Sequence, residues 1–512
     1  MRSRRALGAL ATVVVAGLTL AGCSSSDDSG EATGDPKPGG TLVSAFVGET
    51  QSLDPAICGL VAYQRCSPIF GTLLRYDAEN DKIVPYLAQS FESPDGANWT
   101  LKLRDGVKFS DGTPFDADAV VFNWNRIKDP ATLSGALAAT RGVTWAVVDP
   151  TTVSVTLDKP NYQFPWQLVR GLGAIGSPTA IQAAGAEVGT KPVGAGPFTV
   201  QSWVRNSELK LVKNPTYFEQ GLPYLDAMTI KIVTSEEQKF NALLSGEASV
   251  ANASNEVDAS KMESNGFRVD EANVYGGSGV IFNYKNASLQ DEGLRSAILH
   301  AIDNDQFVDA LDKVAEPAEA FLRPGDTSAA YPNFDLSESQ KQFDDYLKRT
   351  GKTSETVTIT SYAGFPVMEQ SSQLLQAQLQ KIKGLTATIV PLEAPVLLSK
   401  QRQGDYQLLL TTFQSPTRDL MFDLFHTNGA QNTTGYSNPA VDAALETTRS
   451  STDPAEVNKA YESANIQIAK DAPMRTWNYI DSYLVSDKDV QGVQIVPTGA
   501  GAAWDWEKVW LN

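Results

Sequence analysis

The sequence predicts an α/β protein built of at least two bodies, on three observations. The chain has 512 residues, several times the length of an ordinary single domain. Short alternating strands recur along it, with amphipathic helices between them. Over residues 357–390 the order is strand, helix, strand, which implies a parallel pair with a right-handed crossover. Two such bodies leave a crevice between them, and ligand sites concentrate in such crevices.

The first residues read as an address. Met1-Arg2-Ser3-Arg4-Arg5 precede an apolar stretch over 6–20 and then Ala21-Gly22-Cys23, the layout of a secretory leader over 1–22. That stretch is shorter than the ~20 residues a membrane-spanning helix needs. Leu20-Ala21-Gly22-Cys23 resembles a bacterial lipobox, in which Cys23 becomes the first mature residue and carries lipid. Residues 23–40 are rich in Ser, Asp, Gly and Pro and read as a flexible tether. A cleaved soluble protein with a chance cysteine is the alternative.

After the tether, 41–47 alternates and is a strand. Residues 101–103 and 107–109 read as two short strands around Arg104-Asp105-Gly106. A second turn over 110–114 leads to Asp116-Ala117-Asp118, acids that open a helix through Val120, Val121, Phe122 and Trp124. Strands follow at 152–157 and 228–233, then a helix over 236–244. A strand at 280–284 precedes a helical stretch over 291–311. Beyond come a strand at 357–360, a Gln-rich helix over 368–382, and strands at 386–390 and 406–413. No repeat of period 20–50 is present.

Composition excludes several classes. Forty-two Lys+Arg face 60 Asp+Glu, for a net charge of −18, and loss of the leader's three arginines takes it to −21. No basic footprint for nucleic acid exists. Two histidines and three cysteines are too few for a zinc cage, a haem-thiolate set or an iron–sulfur cluster; no metal site and no cofactor is expected, with a carboxylate-only metal site as the alternative. Cys58 and Cys66 lie eight apart, about 12 Å of rise on a continuous helix. A disulfide between them therefore requires a turn within 58–66; two buried thiols are the alternative.

Candidates for catalysis reduce to simpler roles. Gly171-Leu172-Gly173-Ala174-Ile175-Gly176 fits the dinucleotide fingerprint, yet no clean strand precedes it and Ser177-Pro178 follows, so it reads as a loop. His300 falls at helical spacing among Leu294, Ile298 and Ile302. His426 lies at an apparent helix end, where a cap suits it. The acids Asp116/Asp118 and Asp344/Asp345 read as helix-start and solvated charges.

Several segments together resemble the peptide/nickel-type solute-binding proteins of ABC importers. Pro85-Tyr86-Leu87-Ala88-Gln89-Ser90-Phe91-Glu92 and the run from Trp99 to Phe115, with Arg104-Asp105-Gly106 and Ser110-Asp111-Gly112-Thr113-Pro114 inside it, are similar to that family's signature. Leu53-Asp54-Pro55 and Phe70-Gly71-Thr72-Leu73-Leu74-Arg75-Tyr76-Asp77 precede them in the family order. Pro192-Val193-Gly194-Ala195-Gly196-Pro197-Phe198, Lys213-Asn214-Pro215, Ala301-Ile302-Asp303 and Gly435-Tyr436-Ser437-Asn438-Pro439 follow. The likeness covers nearly all of 40–512.

The resemblance implies a bilobal periplasmic-binding-protein-like fold, class II and of the three-subdomain type, with a two-segment hinge. Lobe I would comprise 41–80, 192–282 and 482–512, with an extra subdomain at 81–191; lobe II would be 283–481. The hinge crossings would fall at Asn283-Tyr284 and Ile480-Asp481. It further implies a monomeric, non-enzymatic lipoprotein on the outer face of the cytoplasmic membrane, delivering a peptide or other small polar solute to an ABC permease. Peptide-binding members place an acid three positions after the aromatic that ends the 406–413 strand. Here that position is Pro416, which weighs against ordinary peptides and leaves a sugar, a modified peptide or an opine-like solute open. Arg418 and Asp419 follow shortly and could substitute with shifted geometry.

The ligand-binding residues implied are Val61, Tyr63, Phe413, Gln414, Arg418, Trp477 and Tyr479. For the aromatics the alternative is ordinary core; for Arg418 it is a surface salt bridge. A secreted hydrolase, a glycosidase or peptidase working in the same cleft, is the competing function. It predicts an acid of strongly shifted pKa beside a second acid in the largest pocket.

Overall fold

Among the described residues the chain builds three sheets of four or more strands, and where it passes between two of them decides where a ligand can sit. In the computed structural model the described residues are 35–46, 49–50, 52–58, 63–78, 80–233, 235–253, 255–311, 316–497, 502–503 and 506–512. The leader, Cys23, most of the tether and Val61 therefore lie outside the described residues. Residues 36–512 form one unit.

Strand β1 (Thr41–Phe46) opens the unit, and α1 (Tyr63–Phe70) follows. Cys58 is bonded to Cys66 of α1 with a Cα–Cα separation of 6.2 Å. A hairpin of β2 (Leu74–Asp77) and β3 (Lys82–Pro85) leads into β4 (Ala88–Glu92) and β5 (Asn98–Leu103). After α2 (Ala117–Lys128), β6 (Val143–Asp149) and β7 (Thr152–Leu157) complete a four-stranded sheet in the order β4-β5-β7-β6. The Asp116 carboxylate caps α2 by accepting from Ala119 N at 2.9 Å. Strict alternation turns Trp99, Leu101, Val153 and Val155 inward against Val120 and Trp124 of α2.

Residues 107–109 do not form the expected second strand. Phe109 N instead donates to Thr113 O at 2.9 Å, and only Lys108 bridges, to Pro114. Val107 and Phe109 go inward as loop residues. Beyond β7 the chain crosses the sheet end through α3 (Pro165–Val169), and the glycine run 171–176 is loop.

A seven-stranded sheet is then filled by β8 (Phe198–Val204), β9 (Glu208–Lys213), β10 (Ala227–Ile232), β11 (Val250–Ala253) and β12 (Arg268–Asn273). Gly196, just before β8, admits a close backbone approach: a Cβ there would meet Pro68 O at 2.6 Å.

The third sheet takes β13 (Tyr275–Phe282), β14 (Glu355–Tyr362), β15 (Leu385–Leu392), β16 (Leu408–Ser415) and β17 (Met474–Asn478). Between them lie α4 (Glu292–Ala301), α5 (Pro366–Leu379), α6 (Leu420–Phe425), α7 (Pro439–Ser450) and α8 (Pro454–Asp471). The order is β15-β14-β16-β13-β17. Strand β14 pairs with β15 in parallel, Val357 opposite Ala387, with α5 as the crossover, as the strand–helix–strand reading requires. The expected helix over 291–311 breaks at Ile302 and Asp303, where Ile302 caps α4 in an extended conformation. Finally β18 (Asp481–Ser486) returns to the seven-stranded sheet, whose order is β12-β18-β11-β1-β10-β9-β8.

Two backbone passages thus join the seven- and five-stranded sheets: Val274 between β12 and β13, and residues 479–480 between β17 and β18. The first passage differs from the expectation at Asn283-Tyr284. Residues 275–282 belong to the five-stranded sheet, with Tyr275 opposite Ser415 and Phe282 opposite Leu408. Asn283 lies deep behind that sheet, its amide donating to Gly404 O and Tyr406 O. The strand expected at 280–284 is the end of β13; its first half is hidden from sequence inspection, because Tyr275-Gly276-Gly277-Ser278-Gly279 carries little β-propensity.

Candidate functional site

Beside the passage at Val274 lies a cavity of about 640 Å³, within the size range of small-molecule sites. One wall comes from β3, β4 and the 162–166 segment, with Phe91, Tyr162 and Trp166. The other comes from Tyr275, the loop after β16 and α8, with Arg418 and Tyr461. A second cavity of about 360 Å³ adjoins it. Asp81, Tyr275 and Pro416 line both, so these three residues mark the junction.

The local chain explains each wall. Asp81 closes the β2–β3 hairpin in a left-handed conformation, φ 47°, and its Oδ1 accepts from Tyr76 OH at 2.7 Å. Tyr162 and Trp166 are held from behind: Tyr162 meets Trp99 edge-on at 6.3 Å, and Trp166 packs on Tyr76 at 5.1 Å. Tyr275 begins β13. Burial pushes its hydroxyl pKa up and Asp326 adds to that, while Arg418 opposes it.

Arg418 is the one cavity-wall residue that the sequence picked out. Its guanidinium stacks over the Tyr461 ring at 4.5 Å, and Nη2 donates to Asn458 Oδ1 at 2.8 Å. Among the described residues it forms no ion pair of the kind considered as its alternative. Asp419, in contrast, is committed elsewhere. Both of its oxygens accept from Arg449, at 2.7 and 2.8 Å, and Asp419 is absent from both cavity walls. Asp423, one turn on, is pushed up to about 6 by burial and by Asp419, against the opposing pull of Arg449.

The remaining candidates are not brought to the cavity. Tyr63 begins α1, and its side chain lies outside the described residues, as Val61 does altogether. Phe413 is buried in the core that includes Leu420, Tyr461 and Leu409. Gln414 is opposite Gly276 in the β13–β16 ladder and lines neither cavity. Trp477 is fully buried and stacked on Phe307 at 4.3 Å. Tyr479 lies one layer behind the second cavity. Its hydroxyl donates to Leu322 O at 2.9 Å, and Arg323, which does line that cavity, covers its ring at 4.9 Å. Trp477 and Tyr479 thus take the core role that was their alternative.

Asp81, Tyr275 and the aromatic wall were missed, while Pro416 was singled out only as the position where the family's acid is absent. Tyr162 and Trp166 do carry a signal, a pair of aromatics in a Pro-containing loop directly after a clean strand. Asp81 carries none.

Neither histidine is placed for chemistry. His300 Nδ1 pairs with Asn333 O at 2.8 Å. His426 caps α6, its Nδ1 accepting from Asn428 N at 3.0 Å and its ring stacked on Phe422. Among the described residues no group of His, Cys, Asp and Glu could hold a metal ion, and no helix is long and apolar enough to cross a membrane.

Residues 82–435 match the bacterial extracellular solute-binding proteins, family 5, in that family's middle region. The chain is 28% identical over 417 residues to the glutathione-binding protein GsiB of Shigella flexneri, covering 77% of this chain and 80% of that one. GsiB of Escherichia coli K12 is likewise 28% identical, over 415 residues. Among solved structures, the binding protein AgaA of A. tumefaciens R10 in complex with agropinic acid superposes with a TM-score of 0.79 at 22% identity, covering 92% of this chain and 99% of that one. DppA of Helicobacter pylori with the peptide STSA gives 0.78 at 24%, over 93% and 98%. These likenesses assign the class II periplasmic-binding-protein fold. With well over half of its length matched, the chain belongs to the family 5 bacterial extracellular solute-binding proteins, the peptide/nickel type of ABC importers.

Proposed function

We propose that this chain is a lipid-anchored receptor outside the cytoplasm that captures a peptide or other small polar solute and hands it unchanged to an ABC permease. Cys23 would carry the lipid, and two acyl chains hold a protein to a membrane where one is marginal. Closure would be a hinge motion about Val274 and residues 479–480, with the seven- and four-stranded sheets on one side and the five-stranded sheet on the other. The observation that carries this reading is the cavity of about 640 Å³ whose walls come from both sides of those passages.

The solute is met by aromatic faces and by Arg418, whose guanidinium sits over the Tyr461 ring with part of its donor fork available to a carboxylate. The relatives named for glutathione and the structure with agropinic acid support modified amino-acid solutes as the first class to try. The hydrolytic alternative is disfavoured by where its signature falls. The pair Asp419–Asp423 has it, but neither lines a cavity. Glu271, raised by burial and by Asp481, lines only the smaller one, and Asp481 is itself paired with Arg323 at 2.5 Å.

The test is native mass spectrometry of protein purified from its own host, followed by thermal unfolding with the solute found. One solute per chain, released intact, is expected. A solute at 100 times its dissociation constant should add about 2.7 kcal/mol of stability. Steady turnover of that solute would overturn the proposal.

A further inference from the structure

The 159–170 segment belongs by packing to the side of the four-stranded sheet, where Phe164 enters the core with Trp99, Leu101 and Val153. Yet it reaches across to α6 and α7. Lys159 Nζ lies 2.5 Å from Glu446 Oε1. Tyr162 N donates to Arg449 O at 2.7 Å. Arg449 is in turn fixed by its two bonds to Asp419 and by a contact to Asp423 at 3.5 Å. Both contacts, of Lys159 and of Tyr162, lie at the start of the stretch that supplies Tyr162 and Trp166 to the cavity wall.

Each of these contacts is made by the chain's own side chains and backbone. From that geometry, and resting on the hinged-receptor reading above, we infer that residues 159–170 form a lip that latches onto α6 and α7 and holds the cleft shut without solute. The free protein then exists as a mixture of latched and open forms, and a solute enters when the latch releases. The latch reduces apparent affinity at the entry step only in proportion to the open fraction it removes. Its strength is set mainly by Arg449, whose backbone carbonyl and side chain serve the two sides of the contact at once.

The experiment measures lobe separation with no solute present, so its outcome does not depend on which solute is carried or on whether any is. Spin labels are placed on cysteines introduced at Thr144 and Lys459, both exposed, in the full chain with Cys23→Ser and the Cys58–Cys66 bond intact. Pulsed electron-spin distances should contain a population at the separation found in this structure. Lys159→Glu opposes Glu446 with a like charge at an exposed position, 74% accessible, so the fold is not at stake. It should reduce the short-distance population by roughly two- to fivefold, the range of an exposed ion pair. Adding Glu446→Lys should restore it. A wild-type distribution without the short population, a Lys159→Glu distribution equal to wild type, or a failed restoration by the double variant would each overturn the latch. The solute-capture reading is judged separately by mass spectrometry and turnover.

Discussion

Arg418 sits over the Tyr461 ring, its guanidinium carbon 4.5 Å from the ring centroid. A guanidinium already held by a ring and by Asn458 loses less freedom when it meets a carboxylate than a free one does. Arg418→Met keeps the stem and removes the donors. With glutathione as probe, titration calorimetry should show affinity reduced about tenfold or more, the scale of one charged hydrogen bond. The melting temperature should stay within a degree or two of wild type. Unchanged affinity would remove Arg418 from the site.

Asp419 and Arg449 form a bidentate pair with both side chains largely out of water. Asp419→Ala leaves a guanidinium facing Asp423 alone. Loss of one partner from such a pair costs about 3 kcal/mol, and urea unfolding at neutral pH should record it. A loss below 1 kcal/mol would mean that Arg449 is solvated in solution.

Asp423 gives a pH dependence of definite sign. Its pKa rises from 3.8 to about 6 on folding, so the folded chain holds the proton more tightly than the unfolded one. The contribution to stability is fully present below 3.8 and is lost as pH rises through about 6. Asp423→Asn should flatten the stability profile across that window relative to wild type, with the variant gaining most above it. Parallel profiles for the two proteins would refute the assignment.

The disulfide closes a loop of only nine residues, Cys58 to Cys66. Chain-entropy reasoning gives it about 2.5 kcal/mol. Unfolding with and without a reductant should differ by that amount, and an equal midpoint would show that the reduced state keeps the loop closed by packing.

Much of the scaffold was readable before any coordinates. The alternation in 152–157, the acid-capped start of α2 and the crossover over 357–390 each obey a local rule, and each appears where that rule puts it. Legibility failed where distant segments decide. The second half of β13 was read from Val280-Ile281-Phe282, but its first half is written in glycines, and only its neighbours β16 and β17 make that part a strand. Trp477 and Tyr479 are aromatics near a passage, a description equally true of pocket and core; the partner Phe307 and the carbonyl of Leu322 settle the matter. Arg418 was reached only through the resemblance, as a charge close after the position where the family's acid is absent. Asp81 was not, since a turn acid is commonplace and its place at the junction depends on residues nearly two hundred and more than three hundred positions away.

Gly276 has a consequence for how receptors of this build diverge. A methyl group there would lie 2.2 Å from Phe413 O, so the strand edge beneath the cavity is barred from acquiring a side chain without parting β13 from β16. On the proposed reading, new preferences would then arise by exchange at the loops, at positions such as Trp166, Pro416 and Arg418. Because Pro416 touches both chambers, a single codon there would reshape both at once.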